Sequence, residues 1–330
     1  MRVHLNITEA QQFVGHRNAI TSLAISEDGK ALLSGSMDRY PPRLWDVATG
    51  AETNRLGRTS LLGLRPVTAV GFARTSSKLV TATRDGTVQL WDQQTLHQVL
   101  QLKHRSPGML LSPLTFGCFP AVFSPDGQRL ITGSLDRTAR IWDAETGDEL
   151  LRIDTAPVGV TAVAFAPDGS TVLTGTIRGG VSLWDALTGE EIQRFQEPIG
   201  KPMAIVYSVE MSPDGRFVLA GSSWEYAQMW DVETGRELQR FGNKELMSVE
   251  AAIFSPDTKL IITGSFDNTV RVWDVETTSE LACIDCRCGR RLPKGFTRVA
   301  LSPQGDYLMA SCADNIIRQY RFHKVPLADQ

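Results

Sequence analysis

"GSFDNTVRVWDVETT", Gly264 to Thr278, decides how this chain folds. Val270 and Val272 alternate with polar residues, which is the period of a half-buried strand. Trp273-Asp274 follows, and then a turn-like close. An almost identical stretch, "GSLDRTARIWDAETG", runs from Gly133 to Gly147. A chain that writes the same fifteen residues twice has to be searched for a period before anything else.

Trp-Asp recurs at Trp45, Trp91, Trp142, Trp184, Trp230 and Trp273, and "ADNIIRQYR" places Tyr320 where a seventh Trp would stand. The intervals are 46, 51, 42, 46, 43 and 47 residues, so seven units fill the 330 residues. Each unit repeats one grammar. An apolar-alternating run such as "ITSLAIS" from Ile20 leads to a turn of the type "SPDG" at Ser124 and Ser212, "APDG" at Ala166, "SPDT" at Ser255 or "SPQG" at Ser302. Proline followed by Asp-Gly supplies the dihedral angles of a tight turn. A second strand such as "KLIITGS" (Lys259 to Ser265) follows, then a third ending in Trp-Asp. An "ETG" turn then opens a fourth strand such as "RELQRF" (Arg236 to Phe241). Short strands separated by frequent turns predict an all-β protein. One four-stranded sheet cannot bury both of its faces, whereas seven stacked radially cover each other and close a ring.

These residues resemble the WD-repeat β-propeller family over essentially the whole chain. The resemblance implies a single domain over 1–330, a seven-bladed propeller of four-stranded antiparallel sheets. Residues 1–13 would complete the last sheet, because "TEAQQFVGH" (Thr8 to His16) reads like the fourth-strand segment "TGRELQRFGN" (Thr234 to Asn243). In that family a His from a Gly-His pair, a Ser or Thr, an Asp and the Trp form a buried hydrogen-bonded line. The first unit carries all four as His16, Ser34, Asp38 and Trp45. The third keeps Thr132, Asp136 and Trp142, the sixth Thr263, Asp267 and Trp273, and the second Thr81, Asp85 and Trp91. The Gly-His pair occurs once. Arg178 and Trp224 replace the Asp in units four and five, Ala220 replaces the Ser/Thr in unit five, and Ala310 and Tyr320 replace partners of Asp314 in unit seven.

Composition sets the outer bounds. The chain is 42% apolar and 22% charged with a net charge of −3, which provides no whole-protein field for nucleic acid or an anionic membrane. The N-terminal stretch has no apolar core of signal-peptide length. The longest uncharged run, Ser106 to Pro125, is broken by Pro113 and Pro120. The expectations are a cytoplasmic protein, no membrane insertion, no nucleic acid, no cofactor and no small-molecule substrate.

Candidate chemistry is sparse. Ser34, His16 and Asp38 are the residue types of a nucleophilic triad, but such a serine must be exposed beside an oxyanion hole, and here it matches the structural line. Cys283-x-x-Cys286-x-Cys288 has metal-ligand character, yet a structural zinc needs four ligands; Cys118, Cys312 or His104 would have to supply the fourth, and no metal is expected. The carboxylates are read as turn chemistry in "PDG" and "ETG". Catalytic residues are therefore not assigned, and the reading is a non-catalytic scaffold or recognition module for one or more proteins. Two alternatives stay open: a metal- or redox-dependent sensor or enzyme using the cysteine cluster, and a sensing module beside a catalytic partner chain.

The candidate contact residues fall in four places. "SSWEYAQMW" offers Trp224, Glu225 and Tyr226, with Trp224 able either to meet a partner or to fold inward over the vacant polar line. Arg178 stands in the corresponding turn of unit four. "CRCGRRLPKGFTR" brings Arg290, Arg291 and Lys294 together in a basic loop. About ten extra residues in the third unit, Ser106 to Thr115, include Met109, Leu110 and Leu111, and insertions in repeats map to loops.

Overall fold

Every tight turn that the sequence places is closed by its own side chains, and this spaces the strands. In "SPDG", Ser124 Oγ donates to Asp126 Oδ1, which also accepts from the Gln128 amide at 3.0 Å. Gly127 closes the turn at φ 67°, a left-handed conformation that favours glycine. In the following turn the Asp of the Trp-Asp pair caps the loop: Asp143 Oδ1 accepts from the Glu145 and Thr146 amides at 2.7 and 2.8 Å.

The structure, a computed structural model, describes residues 4–38, 41–57, 66–104, 120–195, 205–242, 248–286 and 297–325. These form 28 strands in seven four-stranded antiparallel sheets. With β1 (His4–Phe13) set aside, unit one holds β2 (Ile20–Ile25), β3 (Ala31–Ser36), β4 (Arg43–Asp46) and β5 (Glu52–Arg55). Unit two holds β6 (Val67–Phe72), β7 (Lys78–Thr83), β8 (Thr87–Asp92) and β9 (Gln98–Lys103). Unit three holds β10 (Ala121–Phe123), β11 (Arg129–Gly133), β12 (Thr138–Asp143) and β13 (Glu149–Asp154). Unit four holds β14 (Val160–Phe165), β15 (Thr171–Thr176), β16 (Val181–Asp185) and β17 (Glu191–Phe195). Unit five holds β18 (Val206–Met211), β19 (Phe217–Ser222), β20 (Tyr226–Asp231) and β21 (Glu237–Gly242). Unit six holds β22 (Val249–Phe254), β23 (Leu260–Ser265), β24 (Thr269–Asp274) and β25 (Glu280–Asp285). Unit seven holds β26 (Val299–Leu301), β27 (Tyr307–Ser311) and β28 (Ile317–Val325).

The first strands touch in sequence, β2 against β6 and so on round to β26, which meets β2 again, so the sheets close a ring. The core lies between neighbouring sheets. For example, Val206, Val209 and Trp230 of unit five pack on Leu173, Leu183 and Phe195 of unit four. β1 pairs antiparallel with β28 from His4↔Val325 to Phe13↔Ile317 and is the seventh sheet's outer strand. Phe13 is fully buried and meets Trp45 of unit one edge-on at 6.0 Å, so the chain start joins the two ends of the ring.

The outer strands are the exposed edges, and they are guarded. In units one to six each begins at a register shift beside the Trp, as at Ile141/Trp142 and Val272/Trp273. Cross-strand ion pairs follow, Arg43–Glu52 at 2.5 Å, Arg140–Glu149 at 2.9 Å and Arg271–Glu280 at 2.8 Å. Bulges and charges of this kind prevent another chain from adding to the edge.

Candidate functional site

The turns between second and third strands and the connections between sheets lie on one face. Backbone bonds tie them together: Met37 N to Ala19 O, Arg84 N to Pro66 O, Ile177 N to Gly159 O, Ser223 N to Ile205 O and Phe266 N to Ser248 O. Beneath this face lies the polar line. In unit one His16 Nδ1 is 2.9 Å from Asp38 Oδ2, His16 Nε2 is 2.7 Å from Ser34 Oγ, and Trp45 Nε1 donates to Ser34 Oγ at 2.8 Å. All four are buried. Burial holds the His16 imidazole below its ordinary value, against the pull of Asp38, so the ring is neutral at pH 7. Asp38 accepts from Nδ1–H, which leaves Nε2 to accept the Ser34 hydroxyl. Ser34 is fully buried with its oxygen engaged from two sides. It lacks the exposure that a nucleophile requires.

Unit three completes the same line from a residue that the Gly-His signal misses. His104 Nδ1 lies 2.8 Å from Thr132 Oγ1, and Nε2 lies 2.8 Å from Thr138 Oγ1 and 3.3 Å from Asp136 Oδ1. Trp142 Nε1 donates to Thr132 Oγ1 at 2.8 Å. Burial opposes ionisation of Asp136, but the hydrogen bond from His104 holds its carboxyl well below the usual range. His104 directly follows a fourth strand, and its amide bonds Gly86 O. Leu56, Thr155 and Cys286 hold the same place, donating to Pro42 O, Arg137 O and Asn268 O. Both ring nitrogens of His104 are engaged, so it does not serve as a ligand for the cysteine cluster.

Units two, four and six keep the indole bond, Trp91 to Thr81 at 3.0 Å, Trp184 to Thr174 at 2.8 Å and Trp273 to Thr263 at 2.9 Å. The Asp85 and Asp267 carboxylates cap their own turns through Thr87 N and Thr269 N, and no described histidine joins them to the indole pair.

Unit five departs most. Ala220 leaves the buried Trp230 Nε1 with no partner, and the Trp224 Nε1 is likewise buried and unpaired. Trp224 is 5% exposed and meets Tyr226 edge-on at 5.7 Å. The ring is thus turned inward rather than presented to solvent. Glu225 is exposed and Tyr226 half-buried beneath Arg240, whose guanidinium lies 4.7 Å from the ring centroid. Arg178 is exposed in the corresponding turn of unit four. In unit seven Asp314 takes a bidentate pair from Arg318 at 2.9 and 2.6 Å. Met109, Leu110 and Leu111, and Arg290, Arg291 and Lys294, lie outside the described residues.

Carboxylates also fall outside turn chemistry, contrary to the sequence reading, and two of them are buried on innermost strands. Glu210 on β18 and Glu250 on β22 sit on neighbouring innermost strands, where the equivalent residues are small or neutral, as Ala164 and Thr161 are in unit four. Glu210 Oε2 accepts from the Phe254 amide at 2.7 Å. Glu250 is 1% exposed and neither oxygen has a hydrogen-bond partner. Burial pushes each up to about 7, Glu250 against the pull of nearby Arg298. Only an unusual burial pattern could have flagged them, because Glu within an apolar strand also fits an exposed face.

The opposite face is made of the repeated turns. A cleft of about 730 Å³ between units two and three is lined by Thr75, Lys78, Asp92, Asp126, Asp143 and Glu145. Asp92, Asp126 and Asp143 are turn caps, and Lys78 Nζ is held by Ala144 O at 2.7 Å and Glu145 at 2.5 Å. Cys283 is exposed opposite Arg271 on β25, whereas Cys286 is buried. Three residues apart at a strand end, they point to opposite sides. Among the described residues no group of three or more His, Cys, Asp or Glu side chains is placed to hold a metal, and Cys288 lies outside those residues.

A family model described as "WD domain, G-beta repeat" matches residues 8–40, 60–92, 118–143, 149–185, 191–231 and 235–274. The chain is similar to a guanine nucleotide-binding protein subunit beta of Oryza sativa subsp. japonica, 30% identical over 44% of this chain and 37% of that protein. It is 29% identical to autophagy-related protein 16 of Arabidopsis thaliana over 46% of this chain and 28% of that protein. It is also 29% identical to pre-mRNA-processing factor 17 of Saccharomyces cerevisiae over 44% of this chain and 30% of that protein. The matched part spans well under half the length of each relative.

Proposed function

The chain belongs to the WD-repeat family, and we propose that it is a non-catalytic recognition module that docks one or more proteins on the face carrying the sheet connections. The observation that supports this is an asymmetry between the faces. On one, the "PDG" and "ETG" turns recur almost unchanged, and their polar groups are satisfied internally. On the other, the partly exposed turn residue differs from unit to unit, being Met37, Arg84, Leu135, Ile177, Ser223, Phe266 and Ala313 in units one to seven. A repeated surface offers a partner seven equivalent registers, and only a non-repeated one specifies a single register. In sequence, the basic segment with Arg290, Arg291 and Lys294 and the apolar insertion with Met109 to Leu111 each fall between the last strand of one unit and the first strand of the next. The three free thiols at Cys283, Cys286 and Cys312 accord with a reducing, cytoplasmic setting.

The test is affinity purification from the native cell with face-selective variants. Arg178→Glu and Glu225→Lys should each lose co-purifying proteins that the wild type retains. Leu187→Asp, in an exposed turn of the opposite face at 85% exposure, should retain them. Equal retention by all three, or loss only with Leu187→Asp, would refute this assignment of the docking face.

A further inference from the structure

Cys312 occupies the turn position that Ser36, Thr83, Ser134, Thr176, Ser222 and Ser265 hold in the other six units. The backbone fixes the equivalence: Cys312 N bonds Ile316 O and Asn315 N bonds Cys312 O, as Ser134 N bonds Thr138 O and Arg137 N bonds Ser134 O. Cys286 stands where His104 stands four seams earlier, at the end of a fourth strand and facing the next sheet's turn. At the seam between units two and three that place brings an imidazole onto a threonine–aspartate turn. At the seam between units six and seven it brings one thiol onto another. The Cys286 thiol donates a hydrogen bond to the Cys312 sulfur, and both pack in the same core cluster. Arg318 lies against Cys312 while pairing with Asp314.

We propose that Cys286 and Cys312 are a redox-active pair that a peroxide converts to a disulfide linking the sixth and seventh sheets. The Cys312 sulfur attacks one peroxide oxygen, the O–O bond breaks, and the departing oxygen takes a proton to leave as water, giving a sulfenic acid. The Cys286 sulfur, giving up its proton, attacks that sulfur and expels the hydroxyl as a second water. Two thiols and one peroxide thus become one disulfide and two waters, with two electrons passing from sulfur to oxygen. Cys312 is the attacking thiol because the Cys286 hydrogen bond and the Arg318 charge favour its thiolate against burial. Cys286 is fully buried and Cys312 is 4% exposed, and Ala313 and Asp314 beside Cys312 are partly buried.

The experiment uses full-length reduced protein, hydrogen peroxide, thiol titration and peptide mapping. The expected result is loss of two of the five thiols, one cross-link joining Cys286 to Cys312, and recovery of both thiols with a reductant. Cys312→Ser installs the residue that this position carries in four other units, so it should fold and keep its thiols, as should Cys286→Ser. Cys283→Ser and Cys288→Ser should leave the cross-link intact. A link to Cys283 or Cys288 instead, an undiminished two-thiol loss in Cys312→Ser, a failure of reductant to restore the thiols, or no loss at all would overturn the proposal.

Discussion

Ala220→Ser should stabilise the protein. Five units give their buried indole N–H a hydroxyl acceptor at 2.8–3.0 Å, and unit five offers Trp230 an alanine. A buried donor without an acceptor costs about 1–3 kcal/mol, and a hydrogen bond made inside a protein is worth about 0.5–1.5 kcal/mol net. The new hydroxyl must itself be desolvated, but it has an acceptor. The carbonyl of the cross-strand partner lies within reach at this position, as Arg43 O lies 3.5 Å from Ser34 Oγ although the Ser34 proton goes to His16, and Gln228 stands in the same register to Ala220. Unit four shows that the indole–hydroxyl pair forms without histidine or turn carboxylate, since Trp184 bonds Thr174 beside Arg178. The expected gain is about 1 kcal/mol, which in equilibrium urea denaturation is a midpoint shift of roughly 0.3 M. Trp230→Phe supplies the control, because it deletes the N–H and keeps an aromatic ring in the core. In that background Ala220→Ser should lose its gain and become neutral or harmful. The same shift in both backgrounds, or no gain with Trp230 present, would show that the orphaned indole is not what weakens this unit.

Three further outcomes follow from the same contacts. Removing residues 1–13 strips β1 from β28 and Phe13 from Trp45, and should lower stability by at least about 3 kcal/mol; a truncated protein melting like the full chain would deny closure by this strand. Trp224→Ala should cost about 3–5 kcal/mol, read as a lower melting temperature, since the ring is buried; normal melting would return Trp224 to the surface set. For Glu250 the folded value is raised from 4.5 to about 7, so its contribution is fully present below about pH 4.5 and is lost as pH rises through about 7. Glu250→Gln should therefore remove a decline of about 2–3 kcal/mol across that window and stabilise the protein more at pH 8 than at pH 4.5. Equal effects at the two pH values would mean that Glu250 is not desolvated.

The fold was legible because its determinants are local and repeated. A "PDG" turn needs only Ser124, Asp126 and Gly127 to close, and a Trp-Asp turn only Asp143 and two amides. Six or seven copies of each turn a weak local signal into a period. The N-terminal strand was legible for the same reason, since Thr8 to Phe13 carries the grammar of the other fourth strands.

The polar line was only partly legible because it is written across seams rather than along strands. His104 reaches Thr132, Asp136 and Thr138 of the next sheet. Nothing in "LKHRS" announces this, because the position tolerates Leu56, Thr155 and Cys286 as well. What that position demands is a buried side chain, and its chemistry depends on the turn it meets. The same argument covers Glu250 in its strand and Cys312 in its turn, ordinary residues whose character comes from a neighbouring sheet. Repetition reveals the scaffold, and by the same logic it conceals the seams, where each unit answers to a different neighbour. The departures at Ala220, Trp224, Cys286 and Glu250 all lie in or against units five to seven. Within that arc units five and seven lack the indole–hydroxyl pair, whereas unit six between them keeps it as Trp273 on Thr263.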